Sequence, residues 1–105
     1  MDTLTAIATR RSTRMYKPEQ ISDSQLQTVL AAGWASPVGH GAYGELYISV
    51  VQNPKILENF AEYCGQAFGN PKYNPFYGAP TLIVVSAKPK DDGQLVYIAD
   101  VGCIL

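Results

Sequence analysis

Arg10-Arg11-Ser12-Thr13-Arg14, with Lys17 three residues on, places four of the chain's eight basic residues within eight positions. Guanidinium forks meet phosphate oxygens two at a time, and the hydroxyls of Ser12 and Thr13 can add donors. A run this compact could therefore clamp one phosphate. It is too short to track a polynucleotide. The formal net charge of −1 supplies no global field that would attract one. The same run also reads as a solvated basic turn, which is what most charge runs are.

A second candidate lies in Pro37-Val38-Gly39-His40-Gly41. From Gly39 to Gly44 the letters fit GxGxxG. A dinucleotide fingerprint must follow a strand and open a helix, whereas here a helical stripe precedes and a β-branched run follows. The dinucleotide reading fails on that order, which leaves a glycine-rich loop whose backbone could approach a ligand closely. His40, the single histidine, could donate a hydrogen bond or protonate near neutral pH. It has no Cys, His or carboxylate paired with it to make a metal site or a triad. Ser12 has no His-Asp arrangement to activate it, and Asp91-Asp92-Gly93 reads as a turn. No side chain is singled out as catalytic and none as a metal ligand. A phosphate-sized basic cluster beside a glycine-rich loop, without a catalytic side-chain set, suits an enzyme whose cofactor carries the chemistry.

These residues must be positioned by the elements around them. Asp2 to Arg10 reads as a short helix capped by Asp2 or Thr3, with Leu4, Ile7 and Ala8 on one face. The basic run follows its C-terminus, the negative end of the dipole, so any phosphate must be held by side chains. Ser22 and Gln25 form a capping box, with Ile21 and Leu26 as the hydrophobic staple. The helix they open carries Leu26, Val29, Leu30, Gly33 and Trp34 as one stripe and stops at Ser36-Pro37. Residues 37–45 form a loop, and Leu46 to Val51 a strand. Asn53-Pro54 opens a helix that turns Ile56, Leu57, Phe60, Ala61 and Cys64 inward and stops near Gly69. Asn70 to Pro80 is a loop whose Tyr73, Phe76 and Tyr77 could wall a pocket or simply pack. Thr81 to Ala87 is a nearly unbroken apolar strand, expected to be covered on both faces. Gln94 to Leu105 reads as a helix apolar around most of its circumference, expected in a core or an interface. It carries no stop signal, and two strands do not make an independently stable sheet.

The composition, 47% hydrophobic and 16% charged, is that of one globular domain. No apolar run approaches the roughly 20 residues of a membrane helix. Met1 to Ala8 lacks the pattern of a signal peptide. Cys64 and Cys103 are too few and too far apart for a disulfide scaffold or a zinc site. Both are expected to be small buried residues in a reducing cytoplasm.

The ordered set of motifs resembles the nitroreductase family over essentially the whole chain. Ile7 to Tyr16 is similar to the family's N-terminal signature, a helix running into Arg-Arg-Ser-x-Arg. Ile21 to Leu26 with Leu30 to Gly33 looks like its next helix, and Ser36-Pro37 stands where the family has Ala-Pro-Ser. Tyr77-Gly78-Ala79-Pro80 resembles its Gly-Ala-Pro segment, and Asp100-Val101-Gly102 the start of its central helix. The resemblance implies an α+β fold, a nitroreductase-like mixed sheet flanked by helices, incomplete in this chain and completed by dimerisation. Residues 1–105 would be the N-terminal portion of a single domain. It implies a homodimer with FMN between subunits. Arg10, Ser12 and Arg14 would bind the phosphate and ribityl chain with Arg11 close by. Pro37, Val38, Gly39, His40 and Gly41 of the other subunit would line the flavin. NAD(P)H would be the electron donor, and a nitroaromatic, quinone or similar small molecule the acceptor. Val38, Gly41, Tyr43 and Glu45 depart from the family's usual loop, which bears on substrate choice. The alternative expectation is a truncated, non-catalytic fragment that keeps a dimerisation surface.

Overall fold

In the computed structural model, which describes residues 1–91, 93 and 95–105, four α-helices accompany one antiparallel strand pair, with α4 packed on it and α2 against α4. The order is α1 (Thr3–Thr9), α2 (Asp23–Trp34), β1 (Leu46–Val51), α3 (Pro54–Ala67), β2 (Leu82–Ala87) and α4 (Val96–Ile104). Gln94 and Asp92, which belong to the expected last helix and polar turn, lie outside the described residues.

The local signals act as the sequence dictates. Asp2 caps α1 by accepting from the Thr5 amide at 3.0 Å and the Thr5 hydroxyl at 2.6 Å. These contacts hold the Asp2 carboxyl below its ordinary pKa, the side-chain bond contributing most. At α2 the capping box is complete: Ser22 Oγ accepts from the Gln25 amide and Gln25 Oε1 from the Ser22 amide. Asn53 Oδ1 accepts from the Lys55 and Ile56 amides, which starts α3 with Pro54 in its first turn. That helix closes at Phe68, followed by left-handed Gly69.

β1 and β2 pair antiparallel, from Leu46 opposite Ala87 to Val51 opposite Leu82. Ile48, Ile83 and Val85 turn to one side of the pair. There they meet Val29, Leu30 and Gly33 of α2 and Ile104 of α4 around a hollow of about 150 Å³. This small cluster, with buried Leu46, is the core.

Several expected burials do not occur within the chain. The second face of β2 is open at Val84 and Ser86. On α3, Leu57, Ala61 and Cys64 are half-buried, while Ile56 and Phe60 point outward. Cys103 is exposed and Cys64 only half-buried. Ile98 of α4 and the flanking Leu95 and Leu105 are exposed. A folded monomer of this mass exposes about 5,800 Å², whereas this chain exposes 8149 Å². Its radius of gyration is 16.0 Å, against about 13 Å for a free-standing domain of this length. The chain's own residues thus leave much apolar surface for something else to cover.

Candidate functional site

α1 delivers the basic run. The Arg10 amide closes the helix on the Ala6 carbonyl at 3.1 Å, and Arg10 itself leaves helical geometry at φ −54°, ψ 134°. From there to Lys17 the backbone is irregular, and every side chain is exposed. Tyr16 donates to the Thr13 carbonyl at 3.2 Å and folds the segment back on itself. Among the described residues, no carboxylate pairs with Arg10, Arg11 or Arg14. Three guanidinium groups with no carboxylate partner among the described residues, beside two hydroxyls, form a donor set complementary to a phosphate.

The far end of this segment is tied down by a polar cluster that sequence reasoning missed. Gln20 Nε2 donates to the Pro80 carbonyl at 2.5 Å, and the Thr81 hydroxyl donates to Gln20 Oε1 at 2.6 Å. Gln52 Nε2 donates to Thr81 Oγ1 at 3.0 Å. A strap and two strand ends meet there. Nothing in the sequence marks three polar residues so far apart as partners.

The Pro37–Gly41 loop is equally fixed, from the other side. After α2, Tyr43 donates to the Ser36 carbonyl at 3.0 Å, and its ring lies 6.5 Å from that of Trp34. A short 3₁₀ turn spans Gly39–Gly41, closed by Gly41 N–H to the Val38 carbonyl at 3.1 Å. His40 and Gly41 are both left-handed, at φ 56° and 65°. Glycine adopts that conformation freely and histidine only at a cost. The Gly39 amide donates to Asp100 Oδ1 at 2.8 Å. A Cβ on Gly39 would run into the Val96 side chain. The last helix, expected from Gln94, runs over Val96–Ile104, and Asp100, where the family resemblance put the start of the central helix, sits one turn in as its loop-facing acid. His40 is exposed. Among the described residues no group of three or more His, Cys, Asp or Glu could hold a metal ion.

Among the described residues the clefts near the Pro37–Gly41 loop include none of Arg10 to Arg14. Gly39 and His40 border a hollow of about 40 Å³ with Glu45, Lys90, Tyr97 and Asp100, where Lys90 and Glu45 pair at 2.6 Å. A cleft of about 780 Å³ lies elsewhere, between α3 and the 71–80 loop. Tyr73 and Phe76 wall it, and Tyr77 does not. Among the described residues no helix is long and apolar enough to cross a membrane.

The order α1, basic run, capped α2, glycine loop, β1, α3 and β2 against an apolar α4 defines an α+β scaffold. Residues 7–105 match the Nitroreductase family, and the chain belongs to that family. An FMN-bound nitroreductase from Bacteroides fragilis is 31% identical with a TM-score of 0.84 over 96% of this chain and 58% of its own. One with bound FMN from Desulfitobacterium hafniense is 31% identical at TM-score 0.79, over 99% of this chain and 61% of its own. An FMN-dependent nitroreductase from Clostridium difficile is 31% identical at TM-score 0.78, over 97% of this chain and 50% of its own. The chain thus spans 50% to 61% of the length of these structures. No curated protein matched it in sequence.

Proposed function

We propose that this chain is the N-terminal part of an FMN-dependent oxidoreductase and supplies the flavin-phosphate contacts. The observation that carries the reading is the exposed, carboxylate-free run of Arg10, Arg11 and Arg14 around Ser12. It occurs in a member of a family whose solved relatives bind FMN. Arg10, Ser12 and Arg14 hold the phosphate and ribityl oxygens, and Arg11 adds charge beside them. Pro37, Val38, Gly39, His40 and Gly41 of a second subunit line the flavin in a homodimer. That the hollow beside the loop includes none of the arginines accords with that division. FMN, when bound, supplies the redox chemistry, taking electrons from NAD(P)H to a nitroaromatic, quinone or similar small acceptor. No protein nucleophile is required. The two free thiols suit a reducing cytoplasm.

The test is Arg10→Ala with Arg14→Ala, read by FMN titration. Each lost charge-assisted contact costs about 1.5–3 kcal/mol, so the double variant should bind at least about a hundredfold more weakly. Lysines at the two positions should restore part of the loss, as point charges without the fork. Both side chains are exposed, so the circular dichroism spectrum should not change. Parent-like FMN affinity in the double alanine variant sinks the assignment.

A second reading has its own observation. Ile98 of α4 and the flanking Leu95 and Leu105, all exposed, suit a pairing surface that would persist in a nitroreductase-like chain without flavin chemistry. Such a chain would self-associate and bind no FMN in the same titration.

A further inference from the structure

We propose that Asp100 is the positioning residue that sets how the Pro37–Gly41 loop meets the flavin, acting through the Gly39 amide and not by touching the cofactor. The inference rests on the FMN reading above and adds to it a residue 61 positions from the loop.

Three observations converge on this tie. Asp100 is 9% exposed, the one buried polar side chain among the described residues. A carboxylate in so apolar a helix is costly unless something satisfies it, and what satisfies it here is the loop's backbone N–H at 2.8 Å. The seat on the loop side is steric. A Cβ on Gly39 would collide with Val96 and stand 3.5 and 3.6 Å from the two Asp100 oxygens. A side chain at residue 39 would have to displace Val96, so glycine lets the loop lie this close to α4. Finally, the next two residues, His40 and Gly41, are left-handed. With glycines at 39, 41 and 44 the free loop has many alternatives to that shape, so an anchor is needed to select it. Carboxylate and glycine together form the anchor. They fix the backbone that the flavin would meet to the first turns of α4.

The experiment compares Asp100→Ala, Asp100→Asn and Gly39→Ala in the full chain. Two readouts are followed: hydrogen exchange at the loop amides and the affinity and visible spectrum of added FMN. In Asp100→Ala the Gly39 amide should exchange about tenfold faster or more. FMN should bind about tenfold more weakly, with an altered visible band. Asp100→Asn keeps a carbonyl acceptor without the charge and should fall between parent and alanine. Gly39→Ala should reproduce the alanine phenotype with Asp100 intact, and these two variants carry the test if Asp100→Ala fails to fold. Arg10→Ala with Arg14→Ala should weaken FMN binding without touching Gly39 exchange. Unchanged Gly39 exchange across the Asp100 and Gly39 variants overturns the proposal. So does faster exchange with parental FMN affinity and spectrum. A parent protein that binds no FMN overturns the underlying reading and this role with it. That failure is distinguishable, because Gly39 exchange would still respond to Asp100→Ala.

Discussion

Gly65→Ala and Gly33→Ala are the same chemical change in two helices, and the structure gives them opposite signs. In a helix interior, alanine is favoured over glycine by about 1 kcal/mol. At Gly65 of α3 the added Cβ would lie 3.0 Å from the Asn70 carbonyl oxygen, 3.1 Å from that of Tyr73 and 3.3 Å from that of Pro71. All three are backbone atoms and cannot swing aside as a side-chain tip can. Moving them shifts the 70–73 turn and strains the 2.9 Å bond from the Asn70 amide to the Gly65 carbonyl. Overpacking of this kind costs about 1–3 kcal/mol, and a weakened hydrogen bond about 0.5–1.5 kcal/mol. The steric term exceeds the propensity gain, and the net loss should be about 1–2 kcal/mol, or at least about 4 °C in Tm. At Gly33 of α2 the Cβ would meet the Ile104 Cγ2 methyl at 3.3 Å and the Ile48 Cδ1 methyl at 3.6 Å. These are side-chain ends that can give by tenths of an ångström, so that variant should lie between neutral and about 1 kcal/mol more stable. The assay is the unfolding midpoint of both variants beside the parent, in denaturant and by heat. A Gly65→Ala midpoint at or above the parent's, or a Gly33→Ala loss equal to it, refutes the packing argument.

Ser22→Ala removes one half of the capping box and should cost about 1 kcal/mol of α2 stability, read as lower helicity and a lower unfolding midpoint. Gln20→Ala releases the strap from Pro80 and Thr81, so trypsin should cut after Arg14 faster than in the parent; unchanged cleavage would mean that the strap is held elsewhere. The Asp2 cap has a defined pH sign. Its pKa is lowered on folding, so its contribution is fully present above the unfolded carboxylate value. It is lost as pH falls through the lower folded value. Thr5 amide protection should therefore fade only at the acid end and persist through neutral pH, whereas fading on the alkaline side would contradict the assignment.

What the sequence made legible was what neighbouring residues decide. Ser22 with Gln25, and Asn53 with Pro54, specify helix starts through bonds that span three residues or fewer. β1 follows from its β-branched run. The GxGxxG pattern could be rejected because the order of helix and strand around it is itself local. Contacts across long separations were not legible. Asp100 could be seen as an acid in an apolar helix, but not that its partner is the Gly39 amide. Gln20, Gln52 and Thr81 carry no periodicity that would join them. Periodicity also overstated burial: Ile56, Phe60 and Val84 are apolar and correctly spaced, yet all three are exposed among the described residues. A hydrophobic pattern reports which face seeks a partner, not whether the same chain supplies it.

The most direct measurement of the central claim is an FMN titration of the purified chain, followed by absorbance and flavin fluorescence, with intact mass on the same sample. The account predicts saturable FMN binding that perturbs the flavin spectrum, with the mass of FMN released on denaturation. A chain that stays colourless after incubation with excess FMN and dialysis, and leaves flavin fluorescence unchanged, would contradict it.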